Sequence, residues 1–192
     1  FDITLADETG TADALTINLN DTEAGSYNLE VKATAIETVT FDVTDDTDTS
    51  NADAVIDVDS LNASSIIVTG STLDLTNSLS LGTLDTDTTS VTATGYAGLL
   101  TATAGSAIAT TFDLAGDKAH SITGSSKNDT FTMGDTTGAA PAINGVSGTD
   151  VLNITIGDGV ANFDNISNID TINIAVTTSA DITANAQSTD LD

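Results

Sequence analysis

Apolar and polar residues alternate along most of this chain with a period of two. The pattern is cleanest in Leu15-Thr16-Ile17-Asn18-Leu19, Thr38-Val39-Thr40-Phe41-Asp42-Val43 and Val151-Leu152-Asn153-Ile154-Thr155-Ile156. Val, Ile, Leu and Thr fill these runs, and such residues suit a pleated, half-buried surface, so each run is predicted to be a strand. Shorter runs predict further strands at Ala54–Val58, Ser65–Val68, Thr72–Leu75, Leu79–Leu81, Ser90–Ala93, Leu99–Ala102, Thr111–Leu114, Thr130–Met133 and Thr171–Val176. Gly, Asp, Asn, Ser and Thr separate the runs, and apolar residues at helical spacing are nearly absent. Between Thr38 and Thr111 the strand starts fall 7 to 16 residues apart, a rhythm that suits a sandwich, a barrel or a solenoid.

Two stretches read as copies of one unit, at 12–43 and 149–176. In the first, Asp13 leads a strand and Glu37 leads the next. In the second, Asp150 and Asp170 do the same. An acid followed two residues later by an inward apolar residue also occurs at Asp53 and Asp129. The expectation from these patterns is an all-β fold. Tandem β-sandwich domains are the alternative, although the chain has neither Trp nor Cys to build an immunoglobulin-type core.

Charge sharpens this picture. The chain carries 29 Asp+Glu against 3 Lys+Arg, a formal net charge of -26, with Lys32, Lys118 and Lys127 as the basic residues. Apart from Glu8, Glu23, Glu30 and Glu37 every acid is Asp, which suits tight turns and oxygen cages around hard cations. Phosphate recognition needs Lys or Arg, so a nucleic-acid partner is excluded, and anionic membrane surfaces are disfavoured. No apolar run approaches the roughly 18 residues of a membrane span, so no membrane insertion is expected. The opening Phe1-Asp2-Ile3-Thr4-Leu5 reads as the middle of a strand, and we expect a segment of a longer protein. His120 is the single histidine, so no transition-metal cluster is expected. A Ser-His-Asp triad has no supporting spacing, and the expectation is no enzyme.

The sharpest motif is Gly124-Ser125-Ser126-Lys127-Asn128-Asp129-Thr130-Phe131-Thr132, within 116–153. A second version follows at Gly145-Val146-Ser147-Gly148-Thr149-Asp150-Val151-Leu152-Asn153. Both resemble the nonapeptide G-G-x-G-x-D-x-U-x of repeats-in-toxin (RTX) β-rolls. Ser125 and Lys127 stand where that family has two of its glycines, and Val146 replaces one in the later copy. The stretch from about Thr83 to Val176, with Ile166-Ser167-Asn168-Ile169-Asp170-Thr171-Ile172, is similar to bacterial surface-layer proteins of the Caulobacter and Campylobacter type and to large RTX adhesins.

The resemblance implies one elongated parallel β-solenoid (β-helix or β-roll) over 1–192 with calcium-binding turns: a turn over the first six positions, a short strand over the last three, and calcium between stacked turns. The metal-ligating candidates are Asp129, Asp150, Asn128, Gly124, Gly145, Gly148, Asp135, Asp117, Asp13 and Asp53, with structural turn acids as the competing reading. The implied function is an extracellular, secreted cell-surface building block of a surface layer, stabilised by calcium. Its partners would be further copies in a lattice or filament, with cell-surface polysaccharide as a second candidate. A repeat of a calcium-dependent RTX adhesin and the calcium-binding secretion region of a secreted enzyme are the alternatives.

Overall fold

In a computed structural model the described residues are 2–4, 10–21, 27–45, 53–57, 61–70, 78–116, 118–135, 140–157, 160–177 and 183–185. They contain no helix. The chain runs β1 (Asp2–Thr4), β2 (Ala14–Asp21), β3 (Tyr27–Glu30), β4 (Lys32–Thr34), β5 (Thr38–Asp45), β6 (Asp53–Asp57) and β7 (Ser65–Gly70). It continues through β8 (Ser78–Thr83), β9 (Ser90–Tyr96), β10 (Leu99–Thr103), β11 (Thr111–Leu114), β12 (Ser121–Thr123) and β13 (Thr130–Asp135). The last elements are β14 (Ala142–Asn144), β15 (Val151–Ile156), β16 (Val160–Asn162), β17 (Ile166–Ser167), β18 (Thr171–Val176) and β19 (Thr183–Asn185).

Successive strands fall alternately in two sheets. One has eight strands, in the order β18-β15-β13-β11-β9-β7-β5-β2; the other has seven, in the order β17-β14-β12-β10-β8-β6-β3. Two small pairs, β1-β4 and β16-β19, complete the described ladders. Pairing is parallel, as between β2 and β5, β13 and β15, and β12 and β14. The molecule is therefore a parallel β-solenoid, and each strand stacks on the one a coil earlier.

Parallel stacking in register places like on like. In the eight-stranded sheet one inward column runs Leu15, Val39, Ile66, Val91, Phe112, Phe131, Leu152, Ile172. A second joins Ile17 to Phe41 and Val68, and, further along, Ala93 to Leu114, Met133, Ile154 and Ile174. The other sheet contributes Leu79 and Leu100, and the column Ala102, Ile122, Ile143, Ile166. These inward faces meet in one apolar core. The Phe112 and Phe131 rings stack at 5.5 Å between centroids with planes 4° apart. In-register stacking thus lets adjacent coils gain an aromatic contact worth about 0.5–1.5 kcal/mol beyond the area it buries.

Eleven of the twelve predicted strands lie on observed ones, Ala54–Val58 through its residues 54–57; Thr72–Leu75 lies outside the described residues. Among those the sequence did not announce are β12, β14 and β17, of two or three residues with one inward side chain each (Ile122, Ile143, Ile166). So short a strand shows no periodicity.

Phe131 is fully buried between Phe112 and Leu152. Phe131→Ala is expected to cost about 3–5 kcal/mol, whereas Thr132→Ala on the outward face should change stability by less than about 0.5 kcal/mol. Urea denaturation followed by circular dichroism measures both.

Candidate functional site

Each coil turns a corner between its strand in the seven-stranded sheet and its strand in the eight-stranded sheet. The residue closing that corner stands just before β2, β5, β7, β9, β11, β13, β15 or β18. In order these residues are Asp13, Glu37, Ser64, Thr89, Thr110, Asp129, Asp150 and Asp170, so strand register stacks them in one column.

A corner leaves backbone N–H groups off the ladder, and buried ones need acceptors. The acids supply them across coils. Asp13 N–H donates to Glu37 Oε2, Thr110 N–H to Asp129 Oδ1, Asp129 N–H to Asp150 Oδ1 and Asp150 N–H to Asp170 Oδ2, each at 2.7 Å. In the middle coils hydroxyls tie the corner instead: Ser64 Oγ donates to Glu37 O, Thr88 Oγ1 to Ala63 O, Thr89 Oγ1 to Ser64 O and Thr110 Oγ1 to Thr88 O.

The two motif copies adopt the turn-then-strand form, Gly124–Asp129 leading into β13 and Gly145–Asp150 into β15. They differ in chemistry. The Asp129 side chain is fully buried and saturated with donors. Besides Thr110 N–H it accepts Ser125 N–H at 2.5 Å on Oδ2, and the Ser125 hydroxyl at 3.0 and 3.2 Å on its two oxygens. Asp129 is thus a structural acceptor in this fold. In the later copy Val146, at φ 74°, sends its N–H to Asn144 Oδ1 at 3.0 Å. Asp150, only 1% exposed, therefore lacks the local hydroxyl that Ser125 gives Asp129; its Oδ1 accepts Asp129 N–H. Burial raises the Asp150 pKa above 3.8, the neighbouring charges of Asp129 and Asp170 add to the shift, and the Asp129 N–H partly opposes it.

Glycine is required at both turns by close approach. A Cβ on Gly124 would lie 2.7 Å from Asp129 Oδ2 and 2.8 Å from the Gly145 carbonyl oxygen. One on Gly145 would collide with the Asn168 carbonyl oxygen and lie 2.5 Å from Asp150 Oδ2. The Asn168 carbonyl and Asp150 Oδ2 therefore converge on one side of Gly145. A cavity of about 210 Å³ opens here, lined by the 146–148 turn, Asp150, Asn168, Ile169 and Asp170.

Calcium takes six to eight oxygen ligands. At the 150–170 level Asp150 and Asp170 line the same cavity, and the Asn168 carbonyl converges on Asp150 Oδ2. The 129 level does not fit as folded, because both Asp129 oxygens already accept donors. Among the described residues no group of three or more His, Cys, Asp or Glu is gathered as a metal cluster.

The remaining candidates are dispersed. Asn128 is exposed, and its Oδ1 accepts Thr149 N–H at 2.9 Å, tying the two turns together. Gly148, at φ 134°, packs against the Lys127 backbone. Asp13 begins the column, and its Oδ2 is buried without a partner. Asp53 opens β6 in the seven-stranded sheet and so stands apart from the column. Asp135 ends β13, and Asp117 lies outside the described residues. Glu37 and Asp170 belong to the column although neither was among the candidates. The signal that could have found them is an acid directly before a strand, as in Ile36-Glu37-Thr38 and Ile169-Asp170-Thr171. His120 is fully buried; its Nδ1 accepts Leu100 N–H at 3.1 Å, which fixes Nε2 as the donor to the Ala115 carbonyl at 3.1 Å.

Asp129→Ala removes the acceptor of two buried N–H groups, at about 1–3 kcal/mol for each; a loss of about 2–5 kcal/mol is expected in urea denaturation. Asp150 gives a pH signature. Its folded pKa lies above the unfolded value, so the folded state holds the extra proton, and stability falls as pH rises from about 3.8 through the raised value. Asp150→Asn should flatten that segment of the stability–pH curve, read from thermal midpoints across pH 3–8.

No family model matches the chain, and no curated protein or solved structure matches it either.

Proposed function

We propose that this chain is a structural module of an extracellular surface assembly, a calcium-stabilised building block of surface-layer type whose copies associate with one another. The observation that carries the reading is the Asp150–Asp170 level, where two carboxylates line one cavity and the Asn168 carbonyl oxygen converges on Asp150 Oδ2. A net charge of -26 repels the compact state, and divalent counterions relieve it. Two carboxylates about 4 Å apart repel by about 4 kcal/mol at an effective dielectric near 20. A cation entering such a level removes that repulsion and ties the coil of β15 to that of β18.

Extracellular calcium modules bind at about 10⁻⁴–10⁻³ M, so the site would fill outside a cell and empty inside it. At ten times the dissociation constant one site adds about 1.4 kcal/mol, a rise of about 3–6 °C in thermal midpoint for a domain of this size.

Thermal melting followed by circular dichroism, in millimolar calcium and in chelator, tests this. A calcium-dependent rise is expected in the parent protein, with most of it lost in Asp150→Asn. Equal midpoints in calcium and chelator would overturn the calcium reading.

A further inference from the structure

His120 is the one histidine of the chain, and it stands where neighbouring coils carry hydrocarbon. The register that pairs Thr101 with Ser121 and Ser121 with Ala142 sets His120 between Leu100 and Pro141, in an inward column of the seven-stranded sheet. One coil earlier the same column holds Leu79, opposite Leu100. All four side chains are buried, and His120 is fully so.

Both ring nitrogens meet backbone groups whose roles cannot change. Leu100 N–H can only donate, so Nδ1 must offer a lone pair; the Ala115 carbonyl can only accept, so Nε2 must carry the proton. The fold therefore holds the neutral ring in one tautomer. A proton added at Nδ1 would set a donor against Leu100 N–H and place a charge in an apolar column. The strands β8, β9, β10, β12 and β14 carry no Asp, Glu, Lys or Arg. Across the core β11 turns Phe112 and Leu114 inward and Asp113 outward, and β13 buries Phe131 and Met133. In the segment before β12 the basic Lys118 is buried, and it lines one cavity with Tyr96 and Ala115. Asp117, beside it in sequence, lies outside the described residues.

We infer that His120 is a proton-operated joint between the coils of β10 and β12: the ring holds Leu100 N–H while neutral and releases it when protonated, so mild acid opens the seven-stranded sheet at this point. The linkage has one sign. The closed joint keeps the ring neutral, and once open the ring takes a proton near the ordinary imidazole value of about 6.5. The open state thus binds more protons, and the closed state loses ground as pH falls below about 6.5, by up to about ten-fold per pH unit. This is opposite to the Asp150 contribution, which weakens as pH rises. The opening stays local because β12 and β14 have only three residues each, and because coils touch only their neighbours. The joint goes beyond the surface-assembly reading and needs no metal. It gives a rod of stacked coils one place that loosens in acid while the rest holds.

Hydrogen exchange at the Leu100 amide reads the joint directly. At constant millimolar calcium its protection, corrected for intrinsic exchange, should fall about ten-fold or more between about pH 7 and pH 5. The Phe41 amide on β5, in a coil without histidine, should change by less than about three-fold. His120→Asn offers an amide oxygen where Nδ1 lies and takes no proton there, so in that variant the fall at Leu100 should vanish. Nitrogen NMR of the parent gives a check that needs no variant to fold. With one histidine the ring signals are unambiguous, and at neutral pH they should show Nε2–H with Nδ1 unprotonated. Leu100 protection that is flat with pH, or that falls equally in His120→Asn or at Phe41, would sink the joint. So would a ring that takes its proton near pH 6.5 while Leu100 stays protected. Equal melting midpoints in calcium and chelator would leave these results untouched, so the joint and the calcium reading fail separately.

Discussion

A chain that turns the same corner in every coil must find acceptors for the N–H groups that the corner removes from its ladders, and this solenoid depends on where it finds them. In four places among the described residues the acceptor is a carboxylate carried by the next coil, at 2.7 Å. A charge-assisted bond of this kind is about twice as strong as a neutral one. It also aligns the coils, because a carboxylate one residue out of place would leave two polar groups unsatisfied. Acidity in these corners is therefore structural first.

That difference arises from single positions. Ser125 supplies both a hydroxyl and an N–H to Asp129, whereas Val146 has no hydroxyl and directs its N–H to Asn144. Two turns of similar sequence pattern thus hold carboxylates of opposite character. One accepts donors on both oxygens; the other is buried beside two like charges that, with burial, raise its pKa. The core treats both coils alike, because Phe131 and Leu152 occupy neighbouring places in one column.

Much of the fold was legible because period-two alternation in runs such as 15–19, 38–43 and 151–156 maps directly onto strands with one buried face. Strand rhythm alone suited a sandwich, a barrel or a solenoid, and the RTX-like turns at 124–132 and 145–153 favoured the solenoid. What escaped was physically silent in one dimension. Ile122, Ile143 and Ile166 each bury alone on a very short strand, and one apolar residue has no period. Asp129 and Asp150 stood out beforehand, but the link from Asp129 N–H to Asp150 Oδ1 spans 21 residues and depends on strand register. Thr110 shares their column without being an acid, so composition could not place it there. Asp53 precedes an apolar run as Asp13 does, yet it enters the opposite sheet, since local pattern does not say which face of the coil a strand occupies.

Stacking by coils also makes this molecule a ruler. Strands in a sheet are spaced by about 4.8 Å, so the eight strands of the larger sheet span roughly 34 Å along the axis. Because coils touch only their neighbours, gaining or losing one changes length in steps of that spacing and leaves the cross-section alone. Reach and girth are thereby uncoupled: lineages could tune how far such a rod extends by duplicating about 20 residues, without redesigning any lateral surface.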